Sequence, residues 1–346
     1  MKKMIGISAL LPLCLLTLTC SQPPSPPQSS LTPSAVQAGA GSIVETDPAL
    51  KAIVPVGATI EKLADGFAFI EGPIWISEGG GALLFSDIPR NQIMKWIPSG
   101  TVTEFRKPSG YTGPPERASA YSGSNGLTLD KQGRLIICEH GDRNVSRLEK
   151  NGQTTVLASK YEGKKLNSPN DAVYRSDGSL YFTDPPYGLF SDKDRELDYS
   201  GIYRIKPDGQ LQLLSKELSR PNGLVFSPDE KILYVANSEP EHRLWMAFDV
   251  AEEGTLSNAR VLLDVTAEKE EGLPDGLKVD TQGYIYATGP GGIWIISPQG
   301  KHLGTIKPNE VPANCHWGDA DGKTLYMTAK SGLYRIRLNI PGVRPA

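Results

Sequence analysis

Sulfur and imidazole are scarce in this chain of 346 residues, which has four cysteines and four histidines. Cys14 and Cys20 fall in the N-terminal segment, leaving only Cys138 and Cys315 for the body. Two cysteines are too few for a disulfide framework, and with no C-x-x-C a thiolate metal site is unsupported; both are expected as buried free thiols. No charge of one sign dominates, with 36 Lys and Arg against 39 Asp and Glu and a formal net charge of −3. That balance gives no footprint for a phosphate backbone and argues against a nucleic-acid partner. G-x-S-x-G, Walker A, H-E-x-x-H and a dinucleotide fingerprint in its proper context are all absent.

The one extended apolar run, Met4–Thr19, is shorter than the ~20 residues of a membrane helix and follows Lys2 and Lys3. Residues 1–20 therefore read as an export signal. Leu16-Thr17-Leu18-Thr19-Cys20 is similar to a bacterial lipoprotein cleavage site, with Cys20 as the acylated residue, and ordinary secretion is the alternative. The expected location is the periplasm, or a membrane reached only through that lipid. Residues 21–45, rich in Pro, Ser and Gln at their start, read as a flexible tether.

Glycine and proline are abundant, at 36 and 28 residues, which excludes a helical bundle because each weakens a helix interior. From residue 50 to 342 the chain repeats. Six segments open with Glu71, Asn125, Asn170, Asn222, Asp275 and Asn314. Eight residues after each stand Gly79, Gly133, Gly178, Glu230, Gly283 and Gly322, followed by strands such as LIICE, LYFTD and LYVAN. The period of ~49 residues is that of a four-stranded blade. An all-β, six-bladed propeller of antiparallel blades follows, with residues near 50–66 closing the short sixth blade.

First strands of propeller blades line the central channel, so the six opening residues would ring one mouth with side-chain oxygens. Such a ring suits a hard divalent cation, and Glu71 and Asp275 would balance its charge. Asn-Gly and Asp-Gly pairs also cap strand entries by bonding their own backbone, a bland reading that stays open here. His316, two residues past Asn314, shares its side of a strand. With His140 it could form a basic dyad, although packed histidines are the commoner case. The Asp319-Ala-Asp321-Gly322 run sits at the repeat's turn and reads as a hairpin.

The chain resembles the family of gluconolactonase, regucalcin (senescence marker protein) and luciferin-regenerating enzyme. The matching stretches are Glu71-Gly-Pro-Ile-Trp75, Ser168-Pro-Asn170-Asp, Arg220-Pro-Asn222-Gly-Leu, Leu273-Pro-Asp275-Gly-Leu and Asn314-Cys-His-Trp-Gly. Cys138-Glu139-His140-Gly141 and Phe182-Thr183-Asp184-Pro185-Pro186-Tyr187-Gly188 point to its bacterial gluconolactonase branch. The resemblance implies one divalent ion held by Glu71, Asn222 and Asp275, with Asn170 beside ion and substrate. Ca2+ is favoured, and Zn2+, Mn2+ or Mg2+ are alternatives. It places Ser168 where the animal proteins carry a substrate-contacting arginine.

The expected activity is metal-dependent opening of a lactone by activated water, with Asp275 as proton acceptor. Asn125, Asn170, Asp184 and Tyr187 would contact the substrate, a small lactone, and a monomer is expected. A phosphotriesterase-like hydrolase and a non-enzymatic binding propeller with a structural ion are the rival readings.

Overall fold

The computed structural model describes Met1 and residues 36–344. The export signal, Cys20 and most of the expected tether lie outside the described residues. The rest forms six antiparallel blades around a channel. The first blade comprises Ile70–Ile76, Ala82–Asp87, Gln92–Trp96 and Val102–Arg106 in sequence order, and the next three repeat that meander. The innermost strands of blades two to six are Ser124–Leu129, Ala172–Tyr174, Pro221–Phe226, Leu277–Val279 and Pro312–Gly318.

The repeat's turn dictates its glycines. Gly79, Gly133, Gly178, Gly283 and Gly322 have φ of 64°, 72°, 85°, 87° and 69°, the left-handed region that glycine enters without steric cost. Glu230, the one exception in sequence, adopts the same conformation at φ 56°. In the second blade Asp130 shapes this turn by accepting from the backbone N–H of Gln132 and Arg134, both at 2.9 Å.

Closure comes from the N-terminal side. Glu61–Ala64 pairs with Gly332–Arg337, placing Glu61 opposite Arg335 and Lys62 opposite Tyr334, and thus completes the sixth blade. A 2.6 Å ion pair between Arg335 and Glu61 reinforces that register. The tether expected over 21–45 is shorter than its composition suggests. Gly41–Glu45 forms a fifth strand on the fifth blade, with Ile43 opposite Ile306, and Gln37–Ala38 pairs beside Glu61–Ala64. An edge strand needs backbone hydrogen bonds more than apolar side chains, so a segment with little to bury still docks.

The core lies between blades. Second strands supply fully buried residues such as Phe85, Phe182, Tyr286 and Tyr326, and Trp96, Trp245 and Trp317 fill the gaps between neighbouring sheets. Cys138 and Cys315 are buried free thiols, as expected.

Candidate active site

The first strands bring the opening residues to one mouth of the channel, and their glycines explain how closely they approach. A Cβ on Gly72 would meet the Asn125 carbonyl oxygen at 2.0 Å, and one on Gly126 the Asn170 carbonyl oxygen at 2.6 Å. On Gly223 it would meet the Asp275 carbonyl oxygen at 2.5 Å, and on Gly276 the Asn314 side chain at 2.0 Å. Each glycine is thus the surface on which the next blade's opening residue rests. Strand-entry capping is present too: Asn314 Oδ1 accepts from Cys315 N at 2.8 Å, and Asp171 Oδ1 from Ala172 N at 2.8 Å.

A cavity of about 410 Å3 opens at this mouth, lined by Glu71, Asn125, Asn170, Asn222 and Asp275. Asn314 stands behind it instead, donating through Nδ2 to Glu71 Oε2 at 2.9 Å. The same oxygen accepts from Gly72 N at 2.6 Å, so the Glu71 carboxylate is fixed from two sides. Asn222 donates its Nδ2 to Ser238 Oγ at 2.9 Å, and Ser238 passes its own proton to the Pro274 carbonyl at 2.5 Å. That relay fixes the Asn222 amide and leaves its Oδ1 for the cavity. Asn125 Oδ1 is buried with no partner.

Burial pushes Glu71 from the usual 4.5 up to about 7, against the lowering effect of its Gly72 and Asn314 hydrogen bonds. Asp275 is raised well above the usual carboxylate range by burial, then by the charges of Glu71 and Asp171. Asp171, in the Asn170-Asp pair where four other blades place a glycine, is a further buried acid, with Lys278 as the opposing charge. Two carboxylates that repel each other and an oriented Asn222 Oδ1 match a hard divalent cation. Among the described residues no group of three His, Cys, Asp or Glu comes together, so a cation held here would also need carboxamide oxygens.

One expectation needs correction, and the lesser alternative of a histidine dyad falls away. Asp184 does not line the cavity. It follows Phe182 onto the buried face of its strand, where its Oδ2 accepts from Asn167 N at 2.7 Å and burial raises it to about 7. His140 and His316 form no dyad: His140 lines the mouth, whereas His316 lines a separate cavity beside Lys278 with its Nδ1 2.7 Å from the Trp317 carbonyl. Being two residues further along its strand carries His316 down the channel by about 7 Å. Tyr187 does line the cavity, and its hydroxyl has no partner.

Sequence reasoning missed Phe69, Tyr121, Ser238 and Arg220 in the cavity wall. Phe69 and Tyr121 meet edge to face at 6.0 Å. Ser168, in the position noted for an arginine, is buried; it donates to the Pro185 carbonyl at 2.6 Å and accepts from Gly188 N at 2.9 Å. It anchors the Pro185–Gly188 loop rather than facing the cavity.

A six-bladed propeller with carboxylate and carboxamide oxygens converging on one channel mouth is the class that fold and site define. Residues 69–331 match the SMP-30/Gluconolactonase/LRE-like region, and the chain belongs to that family. It is 38% identical over 309 residues to a gluconolactonase of Zymomonas mobilis, covering 86% of each chain. To regucalcin of Oryctolagus cuniculus it is 28% identical over 268 residues, covering 76% of this chain and 84% of that one. The solved structure of a Xanthomonas campestris gluconolactonase superposes with a TM-score of 0.76 at 32% identity, covering 90% of this chain and all of that one.

Proposed function

We propose that this protein is a lactonase that opens a lactone ring with the help of one divalent cation at the channel mouth. The observation that carries the reading is the pairing of buried Glu71 and half-buried Asp275 with amide oxygens in an open cavity, in a chain 38% identical to a gluconolactonase. A cation held by Glu71, Asn222 and Asp275, with Asn170 beside them, supplies Lewis-acid polarisation of the lactone carbonyl. Hard oxygen donors and two negative charges favour Ca2+, with Mn2+, Mg2+ and Zn2+ as alternatives.

The chain's own residues do the rest. Asp275 takes a proton from the attacking water at a carboxylate oxygen. Attack at the carbonyl carbon breaks the bond to the ring oxygen, which leaves with the proton. Asn125 and Asn170 orient the ring, and Tyr187 and Phe69 exclude water from the wall. On the sequence of residues 1–20 we also propose export, with Cys20 lipidated.

The test is hydrolysis of a panel of sugar and aliphatic lactones with and without chelator, on wild type and on Asp275→Asn. Chelator should abolish turnover and Ca2+ restore it. Asp275→Asn should lower kcat by ~10²–10⁴ at saturating ion, the range of general-base catalysis. Rescue of that variant to full kcat by added Ca2+ would leave Asp275 a ligand only. Wild-type turnover undiminished by chelator would overturn the ion's role.

A further inference from the structure

His140 takes no part in the hydrolysis described above, yet the fold builds a place for it in the same cavity. It follows the strand Leu135–Glu139 and is only 1% exposed. Its Nδ1 lies 2.9 Å from the Tyr121 carbonyl oxygen. A carbonyl only accepts, so Nδ1 carries the proton and Nε2 keeps a lone pair. Nε2 is buried and has no partner.

The surroundings hold the ring where it is. A Cβ on Gly188 would come within 2.3 Å of the His140 Cβ, so the Pro185–Gly188 loop closes directly against the residue. Ser168 pins that loop at both ends, through Pro185 and Gly188. Burial depresses the imidazole from 6.5 to about 4, which keeps it neutral at physiological pH. The cavity lining therefore holds a fixed acceptor with no donor, together with a second orphaned acceptor, Asn125 Oδ1. Buried acceptors left unpaired destabilise the folded state, so both call for a ligand that brings O–H groups.

We infer that His140 is a specificity-determining residue whose Nε2 accepts a hydrogen bond from a substrate hydroxyl group. The inference rests on the lactonase reading for its substrate, but its geometry stands without it. It makes His140 a reader of substituents on the ring rather than a base or an ion ligand. A site built around a hydroxyl rejects the analogue that lacks it, because the protein's own acceptor is then left unpaired.

The test compares His140→Asn, which keeps a side-chain donor for the Tyr121 carbonyl and loses the Nε2 acceptor, with His140→Gln, which returns an acceptor near the Nε2 position. Both are measured on D-glucono-1,5-lactone and on δ-valerolactone, the same ring without hydroxyls. His140→Asn should lose ~10–100-fold in kcat/KM on the hydroxylated ring, the worth of one buried hydrogen bond, and less than about threefold on the bare one. His140→Gln should recover part of the loss, and Ca2+ affinity should not change in either variant. Equal losses on both lactones, no loss on either, or a fall in Ca2+ affinity would each overturn the inference.

Calorimetric binding of D-gluconate and of 5-hydroxypentanoate keeps this separate from the activity itself. If the wild type hydrolyses no lactone, the proposed function fails, and the selective loss of gluconate binding in His140→Asn still decides the role of His140. Wild type that binds gluconate no better than 5-hydroxypentanoate overturns it.

Discussion

Glu71→Gln should stabilise the ion-free protein and destabilise the ion-bound one, and the size of the first effect follows from the site. In the folded protein without its ion, burial raises Glu71 from 4.5 to about 7. A carboxyl raised on folding contributes stability that is fully present below its unfolded pKa and lost as pH climbs through the folded one. At 1.36 kcal/mol per unit, the loss between about pH 4.5 and pH 8 is ~3 kcal/mol. Asp275 moves in the same direction and is eased when its neighbour becomes neutral. Glutamine keeps an oxygen to accept from Gly72 N and Asn314 Nδ2, so the change removes the charge with little change of shape. Other buried acids, Asp184 among them, add a pH slope of the same sign, but they remain in the variant and cancel in the comparison. Denaturant unfolding in chelator at pH 5 and pH 8 is the assay. The wild type should lose ~2.5 kcal/mol more than the variant between the two. In saturating Ca2+ at pH 8 the order should reverse, since a lost charged ligand weakens ion binding by roughly 10²–10³-fold. Identical pH slopes in chelator would refute the buried, repelling pair, and equal stabilisation of both proteins by Ca2+ would remove Glu71 from the ligand set.

Other substitutions probe neighbouring parts of the same construction. Ser238→Ala frees the Asn222 amide from its 2.9 Å anchor and should weaken Ca2+ binding by about tenfold, read by calorimetry, with unfolding in chelator little changed. Gly276→Ala sets a methyl 2.0 Å from the Asn314 side chain and should cost ~2–3 kcal/mol in denaturant unfolding while lowering turnover. Cys20→Ser should move the protein from the membrane fraction to the soluble one without altering its melting temperature. A mature N-terminus elsewhere than Cys20, read by mass spectrometry, would decide for ordinary secretion.

Most of the fold was legible because it is written six times. The turn glycines and the aromatic second strands recur at fixed offsets, and even the exception, Glu230, takes the conformation its position requires. The strand at Gly41–Glu45 was hidden because an edge strand leaves little trace in a hydrophobic pattern, and here a Pro/Ser-rich stretch runs into it. The ring residues were legible for the same reason as the blades: they occupy one register position in each. Ser238 and Tyr121 were not, because one lies late in a second strand and the other in a loop between blades, away from the repeated opening positions, and His140 stood out only as half of a possible dyad.

The misplaced Asp184 exposes a second register that the sequence also carries. It lies at the end of the second strand of its blade, as do Asp87 and Glu139, and Asn237 stands two residues before the end of its own. Asp87 accepts from the backbone N–H of Ala68 and Phe69, just ahead of Glu71. Asp184 accepts from Asn167, just ahead of Asn170, and Asn237 from Arg220, just ahead of Asn222. In three blades, then, the acceptor at the end of the second strand grips the chain that delivers the opening residue to the channel mouth. Glu139 is the exception and bonds Ser146 instead. The residue immediately after this acceptor points the other way: Ile88, His140 and Ser238 all line the cavity. Alternation along an extended strand produces both roles from adjacent positions, one side chain turned back to fix the ring and the next turned in to meet a ligand. The opening residues, under this arrangement, are free to keep a common geometry from blade to blade. The residues that follow these acceptors are apolar at Ile88, an imidazole at His140 and a hydroxyl at Ser238, which also holds the Asn222 amide at 2.9 Å. Choice among substrates can therefore reside at positions such as His140, while Ser238 serves the opening residues themselves.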